Sequence, residues 1–215
     1  MNQKTEKRSF EQAAARWDEK PRRVKLAGDV AEAMKKQVPL NRDMDMLDFG
    51  CGTGLLTLAL QPFVGSVTGV DSSPAMLDVL EKKIREAGIK NIETRKADID
   101  EGDRLSGRFD LVISSMTLHH IPDIDALIQQ FCGVLKPGGY VALADLDEEG
   151  GRFHDDNHGV FHFGFNRQDL CSRLADAGFT GIHAQTAAHL VKTESDSENQ
   201  TFPVFLISGV YLNAR

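Results

Sequence analysis

The feature that most narrows the fold is the stretch Met46-Leu47-Asp48-Phe49-Gly50-Cys51-Gly52-Thr53-Gly54-Leu55. An apolar strand ends in an acid, enters a turn with glycine at alternate positions, and opens a helix. Glycines there remove Cβ atoms where the backbone bends sharply and let a ligand approach the main chain. The following helix offers unpaired N–H groups and a partial positive charge to whatever occupies the turn. Such a unit is a small-ligand cradle, and it belongs in a chain of alternating strands and helices.

That alternation continues from Asp43 onward. Strands are expected up to Phe49, over Ser66 to Val70, Ile92 to Lys96, Phe109 to Ser114 and Tyr140 to Ala144. Helices are expected over Leu55 to Leu60, from the Ser73-Pro74 start to Gly88, after Asp123, and from Asn166 to Gly178. The segment Leu146 to Phe165 has no clear period. Two final strands, Ile182 to Val191 and Phe202 to Leu212, flank the acidic turn Glu194 to Glu198 and read as a hairpin. The class is therefore α/β: a doubly wound, Rossmann-like, mostly parallel sheet of seven strands ending in an antiparallel hairpin. Residues 1–40 read as N-terminal cover helices of the same domain, and residues 41–215 as its ligand-binding body. One cover helix starts at a Ser9 cap and carries Phe10, Ala13, Ala14 and Trp17 until Pro21; a second buries Val24, Ala27, Val30, Ala31 and Met34 until Pro39. Both are expected over one end of the sheet, with Trp17 as a packing anchor.

Composition narrows the partners. A net charge of −7 over 215 residues argues against a nucleic-acid surface, which shows as a basic face. The basic cluster Arg16, Lys20, Arg22, Arg23 and Lys25 reads as a solvated helix face. Phe202 to Leu212, the longest apolar run, is too short to insert across a membrane. Met1 to Arg8 lacks the apolar core of a secretory leader, and Cys51, Cys132 and Cys171 show no CxxC pairing. A cytoplasmic location with free thiols is expected.

The acids choose the ligand. Asp48, Asp71, Asp98 and Asp145 each close or follow a strand, where ligands of doubly wound sheets bind. Asp71 follows the glycine turn at roughly the spacing, about 20 residues, at which a carboxylate reaches ribose hydroxyls. A dinucleotide site wants G-x-G-x-x-G, whereas here the glycines are Gly50, Gly52 and Gly54. Asp48 would repel a pyrophosphate but suits an ammonium or sulfonium group. An adenosine derivative with a cationic amino-acid end fits best.

These residues, with Gly69-Val70-Asp71-Ser72-Ser73, Ala97-Asp98-Ile99, Phe109-Asp110-Leu111-Val112, Leu118-His119-His120-Ile121 and Leu135-Lys136-Pro137-Gly138-Gly139, resemble the ordered motifs of class I S-adenosylmethionine-dependent methyltransferases. The nearest branch is the small-molecule, quinone-biosynthesis-like one (methyltransferase type 11). The resemblance is strong over residues 44 to 146. It extends weakly to Ala14-x-x-Trp17-Asp18 and to His162-Phe163-Gly164-Phe165. It implies S-adenosylmethionine as cofactor and a small molecule as methyl acceptor. It also implies that Gly50, Cys51, Gly52 and Gly54 contact the methionyl part and that Asp48 orients its amino group. Asp71 would hold the ribose, with Ser72 and Met76 beside it. Asp98 and Ile99 would read the adenine, and Ser114 would line the methionyl side.

Methyl transfer from a sulfonium is an in-line displacement in which placement does much of the catalysis. A base is needed only for a protonated acceptor. His119, His120, His154 and His162 are the candidates. His154, His158 and His162 fall four apart, which on a helix would stack three imidazoles as a metal site. Gly150, Gly151, Gly159 and Gly164 argue against that helix, so the segment reads as a histidine-lined acceptor pocket without metal. Two other readings stay open: a non-catalytic S-adenosylmethionine-binding regulator, and an NAD(P)-dependent oxidoreductase.

Overall fold

The computed structural model describes residues 10–192 and 200–212. The strands are β1 (Asp45–Phe49), β2 (Ser66–Asp71), β3 (Ile92–Lys96), β4 (Phe109–Ser115), β5 (Leu135–Leu146), β6 (Phe179–Lys192) and β7 (Gln200–Tyr211). They form one sheet in the order β3-β2-β1-β4-β5-β7-β6. The pairs from β3 to β5 are parallel, and β7 runs antiparallel to both β5 and β6. The strand order reverses between β1 and β4, so the glycine turn after β1 sits at the topological switch point.

The helices are α1 (Pro21–Gln37), α2 (Leu55–Leu60), α3 (Pro74–Ala87), α4 (Ile124–Val134) and α5 (Arg167–Asp176). Their ends follow local chemistry. Ser73 Oγ accepts from the Met76 N–H at the start of α3, Asp123 does the same for α4, and Asn166 for α5. Neighbouring strand residues point to opposite faces. Leu47 and Phe49 therefore pack with Leu127 and Phe131 of α4, whereas Met46 packs with Val30 and Met34 of α1. Asp48 shares the α1/α2 face.

Several expectations need correction. The first cover segment is a 3-10 helix, Glu11–Glu19, with no side-chain cap; Ser9 lies outside the described residues, as does the acidic turn after Lys192. Lys20 is extended, as the following proline requires, and Pro21 opens α1 instead of merely stopping its predecessor. Of the two cover segments, the 3-10 helix is the one tethered at the carboxyl ends of the strands, through Thr53 and Ser73. Helix α1 packs on the face of the sheet, with Val30, Ala31 and Met34 buried as expected and Val24 45% exposed. Strand β5 starts earlier than Tyr140 because Leu135 already pairs with Phe109, and the Lys136–Gly139 turn survives as a register shift opposite β4. No helix among the described residues is long and apolar enough to cross a membrane.

Candidate functional site

The turn after β1 is held from two sides. The Gly50 and Cys51 N–H groups both donate to the Val70 carbonyl, at 2.8 and 3.0 Å. Gly50, Gly52 and Gly54 all have positive φ (72°, 53° and 82°), a conformation that glycine adopts without the steric cost a Cβ would bring. Their surroundings differ. A Cβ on Gly50 would lie 2.2 Å from Thr117 Oγ1, and one on Gly54 would lie 2.3 Å from Leu80 Cδ1. One on Gly52 would meet nothing within 4 Å. Gly52 is thus the open point of the cradle.

Two carboxylates flank the turn. Asp71, at the end of β2, accepts from the Gly52 N–H at Oδ2 (2.8 Å) and from the Ser73 N–H at Oδ1 (2.9 Å). A carboxylate has about four lone-pair sites, so these two backbone donors do not by themselves saturate it. Asp48 is buried, 2% exposed, and its Oδ2 accepts from Thr57 Oγ1 at 2.5 Å. Burial pushes its carboxyl up to about 7; the Thr57 hydrogen bond opposes this and the nearby Asp71 charge adds to it. Burial, with the same two charges, also raises the Cys51 thiol well above its usual value, so Cys51 is a buried, unreactive wall of the turn.

Other expected contacts sit nearby. Ser72 is half-buried ahead of α3 and Met76 is buried in its first turn. Asp98 caps the 3-10 turn Ile99–Glu101 through the Asp100 N–H, and Ile99 packs against the core. Ser114 is different: fully buried, its hydroxyl donates to the Phe49 carbonyl at 2.8 Å, pinning β4 to β1.

The 3-10 helix closes over this site. Thr53 Oγ1 donates to Asp18 Oδ1 at 2.6 Å, Lys83 pairs with Asp18, and Ser73 Oγ donates to Glu11 Oε1 at 2.7 Å. Trp17 is half-buried, with the Arg23 guanidinium 3.4 Å from its ring centre and Phe10 edge-on to it. Arg23 therefore stacks, although the sequence places it in a solvated cluster.

The histidines regroup. His154, His158 and His162 do not converge: the backbone from Asp147 to Phe165 holds no helix. His158 is exposed, and His162 Nε2 donates to the Ile121 carbonyl at 2.9 Å. His154 instead joins His119 and His120, with one nitrogen of each within 4.8 Å of the others. Ring centres are 4.1 Å apart for His119 and His120, and 5.1 Å for His119 and His154. Asp145, at the end of the β5 core and fully buried, holds His119 Nδ1 at 2.6 Å and accepts the Leu146 N–H. Burial alone would raise that carboxyl, but the charge and hydrogen bond of His119 outweigh it and hold Asp145 below its ordinary range. His120 Nδ1 lies 2.7 Å from the Gly159 carbonyl. Burial above all, aided by the His119 charge, lowers His120 to about 3.

Asp145 as a histidine partner, Thr57 beneath Asp48, and the Asp18 and Glu11 tethers were not assigned these roles from sequence. For Asp145 a signal existed, since β5 lies beside β4 and both end at the same edge.

A methyltransferase-domain family model matches residues 19–184. An uncharacterized methyltransferase of Schizosaccharomyces pombe is 35% identical over 162 residues, covering 71% of this chain and 53% of its own. A ubiquinone biosynthesis O-methyltransferase of Methylobacterium nodulans is 30% identical over 113 residues, covering 53% of this chain and 45% of its own. The chain thus spans about half the length of these curated relatives. Among solved structures, a SAM-dependent methyltransferase from Aquifex aeolicus matches with a TM-score of 0.69 at 20% identity, over 94% of this chain and 99% of that one.

Proposed function

Because the chain belongs to the methyltransferase-domain family, we propose that it binds S-adenosylmethionine in the glycine turn and transfers the methyl group to a small-molecule acceptor. The observation that carries this reading is the pair of carboxylates around a turn open at Gly52. Asp48 is desolvated and costly to ionise alone, as befits a group whose counter-charge arrives with the ligand. The ammonium end of the methionyl group supplies that charge. Asp71, already oriented by two backbone N–H groups, accepts from the vicinal ribose hydroxyls. Asp98 and Ile99 take the adenine, with Ser72 and Met76 beside the sugar. Ser114 acts indirectly, by fixing β4 against Phe49.

The methyl donor needs no covalent help from the protein. Holding the acceptor atom in line with the methyl–sulfur bond converts a bimolecular encounter into a near-attack arrangement. The acceptor side lies around His119, His120 and His154, with His162 bracing the Ile121 segment. The acceptor is a small molecule, in keeping with the quinone-related name of one relative. The location is cytoplasmic, in keeping with three free thiols.

Thermal-shift titrations test the cofactor: S-adenosylmethionine and S-adenosylhomocysteine should stabilise the protein, and stabilisation by NAD alone overturns the reading. Incubating the protein and methyl-labelled S-adenosylmethionine with a metabolite extract tests the activity. Label in a small product supports an enzyme; cofactor binding with no transfer supports the regulator instead.

A further inference from the structure

We propose that His119, His120 and His154 bind a divalent transition-metal ion of the Zn2+ type. Metal-bound histidines characteristically donate their second ring N–H to a carboxylate or a backbone carbonyl, which sets the tautomer and aims the other nitrogen. His119 and His120 both show this arrangement. A carbonyl can only accept, so the contact with Gly159 places the His120 proton on Nδ1 and leaves a lone pair on Nε2. The ionised Asp145 holds the proton of His119 Nδ1, so a metal that displaces any proton from Nε2 finds a ligand there too. Two largely buried rings 4.1 Å apart thus each offer, in the neutral form, Nε2 as a ligand atom. A cation taken up by both, with His154 as third ligand, joins them.

The donor set selects the ion. Three neutral imidazoles suit zinc, copper, nickel or iron, and are poor ligands for magnesium or calcium. Nitrogens on a tetrahedral zinc at about 2.05 Å are roughly 3.3 Å apart. Those here lie within 4.8 Å of one another. Uptake of the ion would close that spacing, with Asp145 and Gly159 holding the rings of His119 and His120 and His154 coming from the non-regular segment between β5 and α5. Three protein ligands leave a fourth position for water or for an acceptor atom. The group begins two residues after Thr117, whose side chain packs on Gly50, which sets the metal beside the cradle. The inference stands apart from methyl transfer, because metal binding needs neither cofactor nor acceptor.

The test uses the full chain without an affinity tag, stripped with a chelator and titrated with Zn2+ by calorimetry and with Co2+ by visible absorption. One equivalent should bind, with the intense ligand-field bands of a tetrahedral cobalt site. His154→Ala and His120→Ala should each weaken binding at least roughly tenfold, while His158→Ala, an exposed control, should leave it unchanged. His154 is a loop residue, and circular dichroism of its variant verifies the fold. No saturable binding up to about 100 μM metal, or binding that survives His154→Ala and His120→Ala, overturns the proposal.

Discussion

Asp48 offers the sharpest test, because its cost and its purpose act in opposite directions. Raising a carboxyl from 3.8 to about 7 makes its ionisation in the folded chain about 4 kcal/mol costlier than in the unfolded one. The unfolded chain loses this proton near pH 4, while the folded protein keeps it until near pH 7. Folding stability from this group is therefore intact below pH 4, falls by about 1.4 kcal/mol per pH unit between them, and is lowest above pH 7. Asp48→Asn preserves size and the capacity to accept from Thr57 but removes the titration. Its unmet amide donors cost about 1–3 kcal/mol at every pH, so only the slope is diagnostic. Urea unfolding from pH 5 to pH 8 should show the variant gaining on the parent by about 3 kcal/mol across that window. Saturating S-adenosylmethionine should flatten the parent's slope, since its ammonium group favours the ionised form, and the variant should bind it more weakly. Parallel pH profiles for parent and variant would refute the buried, ligand-awaiting carboxylate.

Other perturbations separate holding the turn from holding the ligand. Asp71→Ala should weaken S-adenosylmethionine binding at least about tenfold in a calorimetric titration, through roughly 1–3 kcal/mol of unpaired hydroxyls; unchanged affinity removes it from the site. Gly52→Ala should lower stability by only about 1–2 kcal/mol, the cost of a left-handed backbone, yet abolish most cofactor binding, because its Cβ would project into the open cradle. Gly54→Ala, which would meet Leu80 at 2.3 Å, should cost more stability than Gly52→Ala, as read by melting temperature. His162→Ala should reduce turnover more than cofactor affinity, since it supports the segment at Ile121; equal losses in steady-state rate and in binding would assign it elsewhere.

The parts of the molecule written in local chemistry were readable from sequence. The cap at Ser73, the proline at the next position and Gly88 delimit α3 at Pro74–Ala87, and near-continuous apolar runs, buried on both faces, mark the inner strands. The cradle was legible for the same reason: three alternate glycines and a strand-end acid sit within one short stretch. What escaped depends on pairs distant in sequence. His154 was grouped by its spacing with His158 and His162, yet a chain broken by glycines does not carry helical spacing into space. It meets His119 and His120 because β4 and β5 are neighbours and the loop after β5 folds back, where Phe161 and His162 donate to the His119 carbonyl. The 3-10 geometry of Glu11–Glu19 escaped because nothing in an alanine-rich stretch distinguishes it from an α-helix. Its position is set by tethers to Thr53, Lys83 and Ser73. Ser114 was assigned to the methionyl side through the family resemblance; its hydroxyl donates to the Phe49 carbonyl, a partner 65 residues away that no local pattern marks.

Gly50 has a meaning beyond its backbone angle. The space its missing side chain leaves is filled by Thr117, 2.2 Å from where a Cβ would stand, and Thr117 immediately precedes the turn that carries His119 and His120. The gap between donor turn and histidine group is therefore gauged by a contact only a hydrogen atom can occupy. Enlarging residue 50 would act as a shim, prising the two halves of the site apart, so a chain with Ala there should lose alignment between them even where each half still binds its own ligand. The position works as a calibrated spacer, and its tolerance is less than one methyl group.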